Sequence, residues 1–185
     1  MNRKIEDEIT LKQLALVISE HPRYTTKELA ESVGISKASL HRVYGSRDDL
    51  VQVLTDLTKG VVQTIIDTIN GSFPDFEKHL DEVIAIHFAN VEFVYFAGSN
   101  QICESENFVD SYVSSLDVFF EKGRRAGFLN TDIPSPAMTE VFIPLFCSIT
   151  DAVRRGRIGE NEQLVIFKSV LLNGLRIQRA NKVVE

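Results

Sequence analysis

The sequence of 185 residues has few of the features that mark secreted, linker or membrane proteins. Its two cysteines, Cys103 and Cys147, lack CxxC spacing, which argues against a disulfide framework and against a zinc site. The charged N-terminus, MNRKIEDEIT, has no apolar segment of a secretory signal, and the longest strongly apolar run, around residues 141–147, is far shorter than a membrane span. We therefore expect a globular protein of the reducing cytoplasm.

The motifs of common enzymes are also missing. There is no Walker loop, no GxSxG and no GxGxxG in the sequence. The four histidines form no Glu-x-x-His pair, and His79 and His87 are two helical turns apart, too far for one metal ion unless other helices contribute. We predict no enzyme activity, no cofactor and no metal site.

What the sequence does contain is helical periodicity over nearly its whole length. Hydrophobic residues make up 44% of the chain and charged residues 25%, a balance that permits a sizeable buried core. The periodicity predicts an all-α fold of about nine helices. Two helices end near Pro22 and Gly34, and the rest span residues 37–43, 47–70, 75–97, 107–125, 137–155 and 160–181, with a short helical turn around 101–105. The helix over 47–70 has an apolar stripe of Leu50, Leu54, Leu57, Val61, Ile65 and Ile69.

Residues 25–44, TTKELAESVGISKASLHRVY, have the spacing of a helix-turn-helix. Ala30 is small enough for two helices to approach closely, and Gly34 permits the positive φ of the turn between them. Ile35, Leu40 and Val43 are predicted to pack inward and to hold the helix pair at its crossing angle. Helix starts are predicted at two capping-box pairs, Thr25 with Glu28 and Ser46 with Asp49.

The same segment is basic in an acidic protein. The formal net charge is −6, yet no Asp or Glu lies between Ser36 and Arg47, as expected where carboxylates would repel a phosphate. A recognition helix meets base edges at its first turn, while phosphates lie on either side. The candidates for base contact are Lys37, Ala38 and Ser39, and those for phosphate contact are Thr26, Ser36, Arg42, Tyr44 and Arg47. A capped helix pair with a purely structural role is the alternative interpretation.

Residues 28–50, ELAESVGISKASLHRVYGSRDDL, resemble the DNA-binding domain of the TetR family of bacterial regulators. The matching positions are Gly34, Ile35, Ser36, Leu40, Gly45, Ser46 and Leu50. The sequence departs from the family pattern at five places. Arg47 stands where Lys is usual, Tyr44 where Phe is usual, Ala38 where Gly is frequent, and His21-Pro22-Arg23 where the first helix usually ends in Gly. His41 replaces the usual Tyr and is expected either to bond a phosphate or to pack.

The resemblance implies a helix-turn-helix DNA-binding domain over residues 1–46 and an effector-binding and dimerisation domain over 47–185. A small-molecule pocket in the second domain would be lined by aromatic rings with a few polar groups. The candidate lining residues are His87, Phe88, Asn90, Tyr95, Gln101, Phe108 and Tyr112. Aromatic residues at helical spacing are equally expected in a hydrophobic core.

The resemblance also implies a homodimer formed by the last two helices, 137–155 and 160–181. The apolar residues that suit such an interface are Val141, Leu145, Ile149, Val153, Val165, Val170, Leu171 and Leu175. Pro144 should kink the first of these helices or move its start to a later residue. The predicted function is that of a repressor released from a palindromic operator by a small molecule. The alternative is an all-α interaction module in which residues 25–45 bind another protein.

Overall fold

The computed structural model describes the backbone of residues 2–98 and 106–175, with side chains over 10–98 and 109–175. Within these ranges the protein is all-α, as predicted, with nine α-helices and no strand. The helices are α1 (Asn2–Glu20), α2 (Thr26–Ser32), α3 (Lys37–Tyr44), α4 (Arg47–Asn70), α5 (Phe76–Ala89), α6 (Val91–Gly98), α7 (Glu106–Arg125), α8 (Ser135–Arg154) and α9 (Gln163–Leu175). A short 3₁₀ turn, Glu160–Glu162, leads into α9.

The described residues divide into two compact units. The first unit comprises residues up to Ile65 together with those between Asn90 and Val109, and the second comprises Ile66–Ala89 and the residues from Asp110 onward. In the first unit, α6 packs along α1, and α2 packs against α3. The buried core of this unit is Leu14, Ala15, Ile18, Leu29, Ala30, Leu40, Leu50, Leu54, Phe93 and Phe96. The domain boundary between residues 46 and 47 stays a prediction.

The single helix predicted over 75–97 is wrong, because the chain breaks at Asn90 into α5 and α6. The Asn90 carbonyl accepts hydrogen bonds from the amides of Phe93 and Val94, at 3.1 and 3.0 Å, and so starts a new helix. Asn is a poor residue for a helix interior, since its side chain competes for backbone groups. The apolar residues on several faces of the predicted helix therefore serve two different cores.

The apolar stripe of α4 is confirmed at most of its positions but not at Leu57. Leu50, Leu54, Ile65 and Ile69 are buried, whereas the side chain of Leu57 is 41% exposed. Thr58 takes the buried position instead, because it lies four residues after Leu54 on the same helix face.

The core of the second unit is aromatic. Phe142 and Phe146 of α8 are buried with Phe167 of α9, and the ring of Phe142 meets that of Phe167 edge to face, with 5.2 Å between ring centroids. Such an arrangement sets the positive edge of one ring against the negative face of the other. Lys168 of α9 adds an ion pair to Asp81 of α5 at 2.6 Å, so α5 and α9 are held together by both packing and charge.

Helix α8 contains a proline in its interior. It begins at Ser135, with Pro134 as the N-cap residue, and runs through Pro144 to Arg154. The expectation that Pro144 moves the start of this helix to a later residue is therefore wrong. The helix continues through Pro144 although this residue has no N–H to donate to the preceding turn. Among the described helices, α8 is also the one whose length and hydropathy would suffice to cross a membrane, but this is weak evidence for a membrane span because the core helix of a soluble protein meets the same criteria.

The residues expected to form the dimer interface divide into three groups, of which Leu145 and Val153 are half-buried. Ile149, Leu171 and Leu175 are buried within their own protomer, so the expectation that they suit an interface is wrong. Val141, Val165 and Val170 are 46%, 71% and 50% exposed. Helix α9 begins later than predicted because the first turn is 3₁₀, and the predicted stretch after residue 175 lies outside the described residues.

Candidate nucleic-acid interface

The turn between α2 and α3 has the conformation expected of a helix-turn-helix. Helix α2 begins with a capping box in which the Glu28 amide donates to Thr25 Oγ1 at 3.4 Å and the Thr25 amide donates to Glu28 Oε2 at 2.7 Å. Gly34 has a φ of +73°, the left-handed region that Gly adopts without strain. The Ile35 amide then donates to the carbonyl of Ala30 at 2.9 Å, which closes the end of α2.

Helix α3 begins at a serine cap. Ser36 Oγ accepts a hydrogen bond from the Ser39 amide at 3.0 Å, and the two hydroxyl oxygens are 2.9 Å apart. The two predicted contacts Ser36 and Ser39 are therefore bonded to each other at the exposed N-terminus of the helix. The remaining amides of the first turn are available to an anion, and the helix dipole favours negative charge there.

One face of α3 is buried and the other presents basic and small side chains. Leu40 is 1% exposed and packs in the first unit's core. The predicted contact residues with exposed side chains on this helix are Lys37, Ala38, His41 and Arg42. Val43, which was predicted to pack inward, is 54% exposed, so that prediction is wrong. At about 100° per residue, Val43 is offset by about 60° from Leu40, which places it at the edge of the buried stripe.

Four of the predicted contact residues are only partly exposed, among them Ser39 and Arg47. Tyr44, the last residue of α3, packs against the core of the first unit, so at least part of its ring serves packing. Thr26, the first residue of α2, is half-buried beside the capping box. Phosphate contact by the Thr26 and Tyr44 hydroxyls stays a prediction.

The junction of α3 and α4 is a second glycine turn followed by a capping box. Gly45 has a φ of +79°, and a Cβ on it would lie 2.5 Å from Asp49 Oδ2. The Ser46 amide donates to Asp49 Oδ2 at 2.8 Å, and the Asp49 amide donates to Ser46 Oγ at 3.2 Å, which confirms the predicted cap. Hydrogen bonds from the Ser46 hydroxyl and amide hold the pKa of Asp49 below its ordinary value, and His41 adds to the effect.

Arg47, the first residue of α4, has an unexpected set of partners. Its Nη2 donates to the Pro22 carbonyl at 2.7 Å, and its Nε donates to the Tyr24 carbonyl at 3.2 Å. The sequence marked Arg47 only as a phosphate contact. The sequence departs from the family pattern at His21-Pro22-Arg23, where the family has Gly. This departure was the sequence feature that could have indicated a specific contact between this turn and another residue.

Two of the predicted effector residues, His87 and Tyr112, are hydrogen-bonded to each other in the second unit. His87 Nδ1 lies 2.6 Å from the Val83 carbonyl, which can only accept, so Nδ1 carries the proton and donates. His87 Nε2 then accepts from the Tyr112 hydroxyl at 2.7 Å. Burial lowers the pKa of His87 from its ordinary 6.5 to about 4, against the opposing effect of the Val83 hydrogen bond. Burial also raises the pKa of Tyr112.

The other predicted effector residues take no part in this hydrogen-bonded pair. Phe88 is buried against Phe146 and Phe167, with ring centroids 4.9 and 5.4 Å apart. Asn90 and Tyr95 belong to the first unit and are half-buried. Gln101 lies outside the described residues, as does the side chain of Phe108, whose backbone belongs to α7.

Two of the clefts on the described part of the second unit are lined by none of the predicted effector residues. The larger has a volume of about 980 Å³ and lies between the α4–α5 turn and the end of α7, with Phe73, Phe76 and Phe128 among its lining residues. The smaller, about 390 Å³, lies along α7 beside Asp117 and Glu121. Among residues 2–98 and 106–175, no three His, Cys, Asp or Glu side chains are grouped so as to hold a metal ion.

Comparison with known proteins assigns the chain to a class. The chain is 35% identical over 177 residues to the HTH-type transcriptional regulator NfxB of Pseudomonas aeruginosa, a match that covers 91% of this chain and 93% of that protein. No protein-family model matches the sequence. Together with the capped helix pair at residues 25–44, this relative places the protein among the helix-turn-helix transcriptional regulators.

Solved structures share the fold of the whole described chain. The TetR-like regulator LfrR of Mycobacterium smegmatis superposes with a TM-score of 0.71 at 16% identity, over 96% of this chain and 99% of that one. The fatty acid degradation regulator FadR of Bacillus halodurans gives 0.60 at 15% identity, over 94% and 97%. The chain belongs to the TetR family of transcriptional regulators.

Proposed function

We propose that this protein is a ligand-responsive repressor that binds a palindromic DNA operator as a homodimer in the bacterial cytoplasm. The observation that carries the proposal is the exposed face of α3. It presents Lys37, His41 and Arg42 beside a serine-capped helix start, and no carboxylate lies on this helix. The likeness to NfxB, an HTH-type transcriptional regulator, supports the same function.

The side chains of α3 divide by position into two roles. Lys37, Ala38 and Ser39 form the first turn, which enters the major groove and meets base edges. Ala38 leaves room for close approach or for contact with a thymine methyl group. Arg42 projects from the second turn and contacts a phosphate, as Thr26 does from the start of α2. Phosphate contacts set the register, whereas the first turn reads sequence.

The proposed dimer uses the exposed apolar side chains of α8 and α9. The side chains of Val141, Val165 and Val170 are about half exposed or more in the protomer. Removing this apolar surface from water in a four-helix bundle would contribute favourably to the free energy of dimerisation. A two-fold dimer presents two recognition helices about 34–36 Å apart, one turn of DNA. The operator is therefore expected to be a palindrome. Residues 1–46 are assigned to DNA binding and residues 47–185 to the effector and the dimer.

The proposed effector site is the region of His87, Phe88 and Tyr112 in the second unit. It combines aromatic rings with a few hydrogen-bonding groups, the usual composition of a small-molecule site. The effector is expected to bind more tightly to a conformation that does not bind DNA than to the one that does. The difference between these two binding free energies sets how far the effector lowers operator affinity. The alternative, a protein-interaction module without DNA binding, is not favoured by the regulator relative.

The salt dependence of DNA binding tests the proposal. Affinity for a mixed-sequence duplex should fall steeply with salt. Arg42→Ala, at the proposed phosphate contact, should reduce the slope of log K against log salt by about 0.9. Lys37→Ala, at the proposed base contact, should weaken operator binding with little change in the slope. Lys122→Ala, which removes an exposed lysine from α7, is the control and should leave binding unchanged. Binding that is weak and independent of salt would contradict the proposal and favour the protein-interaction alternative.

A further inference from the structure

We propose that Arg47 acts as a positioning residue that clamps the turn between α1 and α2 to the start of α4, and that it is not a phosphate contact. The inference rests on the proposed DNA-binding function and concerns how the same site is held in place. It starts from the two hydrogen bonds of the guanidinium, to the carbonyls of Pro22 and Tyr24.

The geometry of the clamp uses what distinguishes arginine from lysine. Nε–H and Nη2–H of Arg47 belong to one planar guanidinium and reach two carbonyl oxygens at 3.2 and 2.7 Å. The acceptors come from residues 23 and 25 positions earlier in the chain, so the contact is tertiary. A lysine ammonium is a point charge on a flexible stem and does not fix two acceptors in one plane. The pairing therefore specifies arginine at this position.

The turn that receives the clamp is ordered by its own contacts. Pro22 has a fixed φ and no N–H. The rings of His21 and Tyr24 stack with centroids 4.3 Å apart and an interplanar angle of 12°, and the Tyr24 amide donates to the His21 carbonyl at 3.0 Å. These contacts restrain the backbone on either side of the Pro22 and Tyr24 carbonyls, which accept the hydrogen bonds of Arg47.

Two departures from the TetR pattern thus meet in one contact. The sequence has Arg47 where lysine is usual, and His21-Pro22-Arg23 where the first helix usually ends in glycine. In this chain Arg47 provides both donors. Pro22, within the departing segment, provides one acceptor, and Tyr24, the residue after that segment, provides the other. The TetR pattern has a lysine, a point charge, at this position, whereas the guanidinium of Arg47 binds two backbone carbonyls in this chain.

The clamp sets the helix-turn-helix relative to α4. The Tyr24 carbonyl immediately precedes Thr25, the N-cap of α2, so the guanidinium links the first residue of α4 to the start of α2. Thr26, a proposed phosphate contact, is one residue further on. Loosening the clamp moves the start of α2 and reduces operator affinity although no residue at the DNA has changed.

Charge-keeping and charge-removing variants separate positioning from phosphate contact. Operator affinity is measured over a salt series for Arg47→Lys and Arg47→Gln, with Arg42→Lys and Arg42→Gln as the matched pair at a proposed phosphate contact. We expect both Arg47 variants to weaken binding by about tenfold, with the salt slope unchanged, because each loses charge-assisted hydrogen bonds to carbonyls. Arg42→Lys should bind nearly as wild type, and Arg42→Gln should lower the slope by about 0.9. An Arg47→Lys variant that binds as wild type would overturn the proposal.

Hydrogen exchange in the free protein tests the clamp without DNA. Amides over residues 21–32 should exchange faster in Arg47→Lys than in wild type, and Arg42→Lys should leave them unchanged. Equal exchange in all three proteins would overturn the clamp. If the wild-type protein binds DNA without any dependence on salt, the proposed function itself is wrong. That result would overturn the role of Arg47 in DNA binding, whatever the exchange experiment shows.

Discussion

At the scale of single residues, His87 and Tyr112 form a buried polar pair within an aromatic core. The neutral imidazole donates to a backbone carbonyl and accepts from the Tyr112 hydroxyl, so both ring nitrogens are satisfied. Phe142 and Phe146 meet the imidazole edge to face at 5.1 and 5.8 Å between ring centroids. Protonation would replace the acceptor at Nε2 by a donor facing the Tyr112 oxygen and would place a charge in this core.

This pair predicts a loss of stability in mild acid. The unfolded chain takes up a proton on His87 near its ordinary pKa of 6.5, whereas burial keeps the folded pKa at about 4. Between these values the unfolded state binds more protons, so the free energy of unfolding falls as the pH falls, by up to about 3 kcal/mol from this group. Urea denaturation of wild type and His87→Gln from pH 7 to pH 4.5 measures it. The difference between the two proteins should shrink with falling pH, and parallel curves would contradict the account.

At the scale of elements, the caps and turns of the helix-turn-helix are where sequence reasoning succeeded. Thr25 with Glu28, Ser36, and Ser46 with Asp49 cap α2, α3 and α4 as their spacing predicts, because capping depends on residues three positions apart. The break at Asn90 and the exposure of Leu57 and Val43 were missed. These features depend on which parts of the fold cover each helix face. The periodicity of apolar residues along the chain does not contain that information.

The two glycine turns predict unequal costs for the same substitution. Gly34→Ala must hold alanine at a positive φ, with no atom within 4 Å of the new Cβ. Gly45→Ala meets the same strain and also places its Cβ 2.5 Å from Asp49 Oδ2, in the cap of α4. We expect about 1–3 kcal/mol of destabilisation for Gly34→Ala and more for Gly45→Ala, as measured by chemical denaturation. Equal losses at the two positions would show that the Asp49 contact does not matter.

At the scale of the whole molecule, the all-α fold and the helix-turn-helix were predictable, and the make-up of the two units was not. Helix α6 follows α5 in the chain but packs on α1 in the first unit, through Phe93 and Phe96. Nothing in the apolar pattern of residues 75–97 distinguishes the two destinations. Likewise, His87 and Tyr112 were expected in one site as separate polar groups, and their direct hydrogen bond joins residues 25 positions apart.

The proposed dimer predicts an effect of charge on α9. Val165→Glu places a carboxylate on a side chain that is 71% exposed in the protomer, so folding should be unaffected while a buried interface is broken. Sedimentation should then show a monomer, with operator binding weakened at the same time. Val118→Glu on α7, at a valine 53% exposed, is the matched control and should stay dimeric. A dimer that survives Val165→Glu would place the interface elsewhere.

Selection of bound duplexes from a random-sequence pool tests whether α3 reads one half of a two-fold DNA site. The account predicts an enriched palindrome whose half-sites are about one helical turn apart, or a multiple of it. Selection with Lys37→Ala should change or weaken the consensus in both half-sites alike, since each half-site meets the same first turn of α3. A pool in which no sequence is enriched by the wild-type protein would contradict the account.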